Sequence, residues 1–461
     1  MKRWNQLFIR QGFIVEEKGL NSFSCFQETE ENLAFLMESL EKLAVVFTYE
    51  IGMLDVLSPV VSEDEWLRVM DFEFRGRGEG LWFRPGQEEP KIKELDTYIS
   101  GVVRHLNRLG LHTKGCCDGH ERRLPSISFA DWVDMEQVVK VLQAAGANRI
   151  HIRENRITIG TPRIQLLDVT EKLAKIRPHW MNENFEFITK QFFLQQLEEC
   201  LSIQGESGNE DTIRQYVVEK MTPLVDHITV DSKGNILAQK NCGNAQGPVL
   251  LFNAHLDTVE EISAARTIMK SGAVWSSSEG ILGADDRAGV TILLELAQRL
   301  DSIKFNGKVK FIFTVEEEIG LVGARKVDEY FLWDVEAAFV VDRRNNGDIV
   351  TSCGGYEAFC HQRFGEFVED VALSNGLDGW KCTRGGSSDT RIWASHGIQS
   401  VNLSVGYQNE HTDDEILDTD ACYNTLQLLV GVVNNARELR RVVRSIQMLE
   451  SPVGGRGLKK A

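Results

Sequence analysis

The sequence predicts an α/β protein: a three-layer α/β/α domain on a mostly parallel, mixed sheet, preceded by an α+β region and without an inserted lid domain. Three observations carry this. Four apolar runs, PVLLFNAH (248–255), KVKFIFTVE (308–316), AAFVVD (337–342) and GIQSVNLSV (397–405), read as strands buried on both faces. Helical patterns such as AGVTILLELAQRL (288–300) and GARKVDEYF (323–331) lie between them. The chain has 461 residues, enough for two to four domains with sizeable cores. Strands alternating with helices define the layered class.

The elements follow in order. Residues 29–46 carry a helical pattern, and LWFRP (81–85) is strand-like. The polar GQEEPKIKE (86–94) reads as a linker that closes a first region, 1–95. A small α+β unit and connector, 96–190, comes next. It holds a helix near 96–109, a strand at 125–130, a helix near 131–145 and an alternating hairpin over 148–160, then a helix within 166–190. The main domain is expected over 191–446. It opens with the helical FFLQQLEECLSI (192–203) and then SGNEDTIRQYVVEKM (207–221), whose Ser and Asn beside acids signal a helix start. ITVDSKGNILAQ (228–239) reads as a hairpin, and one amphipathic helix is expected over 419–446. The segment 447–461 is expected to be a flexible tail.

Composition excludes some functions. Lys and Arg number 51 against 68 Asp and Glu, a net charge of −17. Such a chain is a poor general binder of nucleic acid or anionic membrane. No stretch of 18 apolar residues and no secretion signal is visible. The nine cysteines lack a framework spacing and read as reduced thiols, so a cytoplasmic location is expected.

The residues that carry chemistry gather after the buried strands. His255 and Asp257 follow the first run; Asp285 and Asp286 stand in GILGADDRAG just before a helix. Glu316, Glu317 and Glu318 follow the second run, Asp342 ends the third, and His411 lies in a loop after the last. Ligands of open α/β sheets bind outside the carboxyl ends of strands. So many carboxylates in one place repel one another unless a cation joins them. Two His with carboxylates suit zinc, with cobalt or manganese as substitutes.

The segments HLDTV, GILGADDRAG, TVEEEIG, VVDR, RGGSSDT and NEHTDDE, in this order across about 190–446, resemble the co-catalytic zinc exopeptidase superfamily. That superfamily includes peptidase T, zinc aminopeptidases, zinc carboxypeptidases and related amidohydrolases. The resemblance implies two Zn2+ per chain (Co2+ or Mn2+ possible), with Asp285 bridging them. It implies that His255 and Asp342 complete one metal site and that Glu318 and His411 complete the other. Glu317 is the implied general acid/base, and Asp257 the residue that orients His255. Arg384 of the RGG loop is the implied contact for a substrate carboxylate; a loop arginine paired with an acid is the competing reading. The Asp285–Asp286 peptide is expected to be cis. The third acid of EEE leaves Glu316/Glu317 as a rival pair to Glu317/Glu318.

The implied activity is hydrolysis of a peptide or amide bond, most simply by an exopeptidase acting on short peptides. The rivals are an N-acyl amino acid deacylase with the same site, and a binding or scaffold protein on a degenerate hydrolase domain. The implied partners are a short peptide or acyl-amino-acid substrate, with no nucleic acid and no membrane. Neither the gap from 255 to 285 nor that from 342 to 384 has room for the lid or dimerisation domain that many relatives insert. One further cluster stands outside the resemblance: His112, Cys116, Cys117, Asp118 and His120 in LHTKGCCDGHERR. It reads either as a metal or ligand site or as a tight Asp-Gly turn with buried thiols.

Overall fold

The computed structural model describes residues 2–70 and 90–450. The strand expected at 81–85, part of the linker and the tail beyond 450 lie outside them. The chain divides into two compact units, Met1–Phe192 and Phe193–Ala461.

The first unit holds two four-stranded antiparallel sheets. One has the order Glu16–Gly19, Ser22–Ser24, Met53–Val56, Phe47–Glu50; the other has the order Thr113–Cys117, Ser126–Phe129, Arg156–Ile159, Ile150–Arg153. Each has its own apolar core, the first around Trp4, Phe8, Phe13 and Trp66, the second around Val102, Leu106, Ile127 and Val141. The helix Glu30–Lys42 starts where Thr29 Oγ1 accepts the Asn32 N–H, and Met135–Ala144 starts where Asp134 accepts two N–H groups.

In the second unit we label the strands of the large sheet β1 (His227–Val230), β2 (Ile236–Cys242), β3 (Val249–His255), β4 (Gly307–Thr314), β5 (Ala337–Arg343), β6 (Asp348–Cys353), β7 (Glu357–Ala358), β8 (Lys381–Gly385) and β9 (Gln399–Ser404). Their order is β7-β6-β9-β5-β3-β4-β2-β1, with β8 beside β6. The centre, β4-β3-β5-β9, is parallel; β1 pairs antiparallel with β2, β2 with β4, and β6 with both β7 and β9, while β6 and β8 are parallel.

The apolar runs are buried on both faces because alternate residues enter different cores. Leu250, Phe252 and Ala254 of β3 join one apolar core. Leu251 joins another with Ile312, Ala338, Val340 and Trp393. The helices are α1 (Phe185–Leu201), α2 (Asp211–Met221), α3 (Ala284–Arg299), α4 (Gln362–Ser374), α5 (Asp389–Ser395), α6 (Thr419–Asn434) and α7 (Ala436–Glu450). Helices α3, α4 and α6 bury Leu293, Phe364 and Leu429 in the first core, and α5 places Ile392 and Trp393 in the second, so the sheet is the middle of three layers. A small sheet joins Ile268–Ser271, Val274–Ser277, Ile416–Asp418 and Tyr407–Gln408. Neither gap expected to lack a lid contains a separate domain. Among the described residues no helix is long and apolar enough to cross a membrane.

Three local expectations differ. The segment 323–331 gives only a short 3-10 turn, Ala324–Lys326, and one helical turn, Glu329–Leu332, because Asp328 caps a new start at Tyr330. The single helix over 419–446 is two. Asn435 leaves helical geometry, and its side chain bonds back to the Gly431 carbonyl. Helix α2 starts at Asp211 without a side-chain cap, and Ser207, read as a start signal, bonds elsewhere.

Candidate active site

The rim is assembled from two kinds of element. Strands β3, β4 and β5 run parallel, so their carboxyl ends deliver His255, the Glu316–Glu318 segment and Asp342 to one side. Asp285 and His411 arrive differently: Asp285 lies in the kinked first turn of α3, and His411 in the loop between two strands of the small sheet. The expectation that all five segments follow strands of one sheet is corrected there. The Asp285–Asp286 peptide is cis.

Asp285 joins the two halves of the cluster. Its Oδ1 lies 3.1 Å from His255 Nε2, and its Oδ2 lies 3.2 Å from His411 Nε2. Asp342 Oδ1 lies 3.5 Å from His255 Nε2, and Glu318 Oε1 lies 2.8 Å from His411 Nε2. His255, Asp285, Asp342, Glu318 and His411 are therefore brought together. The EEE ambiguity meets a plain geometry: Glu316 turns to Lys233, 2.7 Å away, while Glu318 faces His411.

Asp257 does more than face the imidazole. His255 Nδ1 is 3.0 Å from the Asp257 carbonyl oxygen and 3.4 Å from its carboxylate. That carboxylate accepts the N–H groups of Glu317 (2.9 Å) and Glu318 (3.1 Å) and the Ser207 hydroxyl (2.7 Å). One acid thus fixes both the histidine side and the glutamate side of the cluster. Asp286 has each carboxylate oxygen taken by backbone, from the His255 and Gly289 N–H groups, which favours a scaffold role over a ligand one.

Arg384 makes no bond within the cluster. It is exposed at the end of β8, and no hydrogen bond or ion pair among the described residues joins it to the acids or histidines.

Several supporting residues escaped the sequence reading. Glu415 is buried and accepts the Gly283 and Asp285 N–H groups at 2.7 and 3.0 Å. It closes the quoted NEHTDDE segment, so its signal was present. Tyr407 donates its hydroxyl to Asp342 Oδ1 at 3.0 Å, and Asn402 binds the Asp342 backbone through both its amide atoms. Nothing in their local sequence marks them.

The electrostatics call for positive charge. Burial pushes the Asp342 carboxyl up to about 7. Burial and then the Asp342 charge push Glu317 up to about 10. Burial opposes the charge on Asp285 too, but hydrogen bonds from His255 and His411 outweigh it and hold that carboxyl below the usual range. Hydrogen bonds to Asp285 and Glu318 raise His411 to about 10. The buried acids are thus satisfied only by holding protons between them. Nitrogen and carboxylate donors converge within 4.8 Å in the set His255, Asp285 and Glu318 and in the set His255, Asp286 and Asp342. The donor chemistry fits divalent metal ions, which would replace those protons.

Comparison with known proteins places the chain among peptidases. The family model for M42 glutamyl aminopeptidases matches residues 267–428. The uncharacterized protein YqjE of Bacillus subtilis is 30% identical over 369 residues, covering 54% of this chain and 99% of its own length. A putative aminopeptidase of Acetivibrio thermocellus is 23% identical over 327 residues, covering 51% and 97%. Among solved structures, the aminopeptidase PepT from Bacillus cereus is 18% identical with a TM-score of 0.48, covering 54% of this chain and 98% of that one. A buried acid–histidine centre at the rim of a mixed α/β sheet is the centre of a metal-dependent hydrolase. The chain belongs to one family with YqjE and, with the M42 aminopeptidase pattern over residues 267–428, is a metallopeptidase.

Proposed function

We propose that the second unit is a dinuclear zinc exopeptidase, an aminopeptidase or a di- or tripeptidase, acting on short peptides. The observation that carries the reading is Asp285, with one carboxylate oxygen facing His255 and the other facing His411. His255, Asp285 and Asp342 would hold one ion; Asp285, Glu318 and His411 would hold the other. When bound, the pair supplies a water made acidic at neutral pH and a polarised amide carbonyl.

The chain's own residues do the rest. Glu317 takes the proton of the attacking water at its carboxylate and passes it to the leaving amine nitrogen. It can do so only when ionised, and neutralising its acidic neighbours favours that form. Asp257 keeps the Glu317 backbone fixed through a 2.9 Å bond, so the base is positioned before substrate arrives. The Asp257 carbonyl facing His255 Nδ1 sets the tautomer that leaves Nε2 free as a donor to the ion. Arg384, at the exposed end of β8, is the proposed contact for the substrate carboxylate.

The test is metal analysis coupled to a library of short peptides and acyl-amino acids. Two zinc equivalents with turnover of free-ended peptides support the reading; turnover of acyl-amino acids alone would reassign it to a deacylase.

A further inference from the structure

We propose that Asp96, Cys117 and His120 form a separate site for one zinc-class cation in the first unit. Three observations point there. A carboxylate oxygen, a thiol sulfur and an imidazole nitrogen, one from each residue, lie within 4.8 Å of one another. Asp96 is 3% exposed and its carboxylate lies against the Cys117 thiol; its Oδ1 is buried with no N–H or O–H partner, while its Oδ2 already accepts the Asp118 N–H at 3.0 Å and faces His120 Nε2 at 3.4 Å. An orphaned carboxylate oxygen in a buried position costs free energy unless something meets it. Beside a thiol and an imidazole, a cation is the partner that these donors share.

The surroundings have the arrangement that such a site needs. The second imidazole nitrogen of His120 faces the Asp118 carboxylate at 3.5 Å, the kind of partner that fixes a ligating histidine's tautomer. Burial and then the charges of Asp96 and Asp118 push the Cys117 thiol up, and the Gly119 N–H, which points at its Sγ from 3.3 Å, offsets part of that push. Gly119 has φ +85° and packs so closely on the Arg123 carbonyl that a Cβ would stand 2.0 Å from that oxygen; this tight turn brings His120 back over Cys117. Arg163, its guanidinium over the Tyr98 ring, holds Asp118 from the far side at 3.8 Å.

Three protein donors leave a place for water or an exchangeable ligand, and the His120 side chain, 59% exposed, stands on the open side. The sequence offered Cys117 and His120 as candidates and left out Asp96. Two residues separate Cys117 from His120, but the third donor lies far upstream, and Cys116 and His112 are outside the converging set.

The probe is Co2+ titrated into the full, metal-stripped chain. The centre in the second unit has only nitrogen and oxygen donors, so a thiolate-to-cobalt charge-transfer band in the near ultraviolet reports the first unit alone. We expect that band to level off at the amplitude of one thiolate-bound Co2+ per chain, to vanish in Cys117→Ser and to survive in Cys116→Ser. His120→Ala, a change at an exposed side chain that leaves the fold intact, and Asp96→Asn should each weaken Co2+ binding by at least about tenfold. No band at saturating Co2+, a band that persists in Cys117→Ser, or unchanged affinity in His120→Ala would overturn the proposal. None of these readouts depends on peptidase activity.

Discussion

Asp257 holds the backbone of Glu317. Its Oδ1 accepts the Glu317 N–H at 2.9 Å, and its Oδ2 takes the next N–H, that of Glu318, at 3.1 Å. The residue that faces the first histidine thus also sets the position of the proposed base. Asp257→Asn keeps the volume but turns an NH2 group toward donors. We expect kcat to fall by about 10²-fold, with both metal equivalents retained. Steady-state kinetics beside elemental analysis checks this, and a kcat within about threefold of the parent would contradict it.

The three consecutive acids should separate cleanly. Glu317→Gln removes the proton carrier and is expected to lower kcat by about 10²–10⁴-fold without loss of metal. Glu318→Gln should lose the ion beside His411. Glu316→Gln breaks only the partly exposed pair with Lys233, so stability should fall by under about 1 kcal/mol and turnover should hold. Metal content of the three variants by mass spectrometry reads the assignment directly.

Removing the ions should also loosen the second unit. A ligand at a hundredfold excess over its Kd stabilises the native state by about 2.7 kcal/mol. Dialysis against a chelator should therefore abolish peptide hydrolysis and lower the melting temperature together, and added zinc should restore both. Calorimetry with and without chelator tests the coupling; activity indifferent to chelation would end the proposal for the catalytic centre.

The first unit should carry its own acid sensitivity. His105 is buried, and burial followed by the charges of Arg104 and Arg108 lowers its pKa to about 3. The unfolded chain binds that proton with an ordinary pKa of about 6.5. Between those values the unfolded state holds more protons, so stability falls as the pH drops from about 6.5 toward 3, by up to about 1.4 kcal/mol per pH unit. His105→Gln should flatten that slope. Denaturant midpoints of parent and variant at pH 7 and pH 5 check it: the variant gains relative to the parent at the lower pH.

Arg384→Ala should raise KM for peptides with a free carboxylate and leave kcat near the parent value, because no hydrogen bond or ion pair among the described residues ties Arg384 to the acid–histidine cluster. Kinetics with free and amidated peptides decides whether that loop reads a carboxylate; equal effects on both would remove the role.

Much was legible before any tertiary structure. PVLLFNAH and AAFVVD announce strands covered on both sides because, apart from Asn253, every residue is apolar until the chemistry begins. His255 and Asp342 stand where those runs end, since a polar side chain is tolerated only where the strand leaves the core. The split at Asn435 was not legible, because the apolar period continues through it and only a side-chain bond to Gly431 stops the helix. Glu415 and Tyr407 were missed for a related reason: their partners, Asp285 and Asp342, are distant in sequence, so no local spacing encodes the contact.

The class of the second unit and the residue types at its rim could be read directly from the chain, because burial periodicity and charge are local properties. Which acid faces which histidine emerged from the fold: Glu318 at His411 with Glu316 turned to Lys233, Asp285 between both imidazoles, and Asp96 beside Cys117 and His120. Those choices depend on where separate strands, turns and loops bring side chains within a few ångströms, and the chain's linear order does not carry that distance.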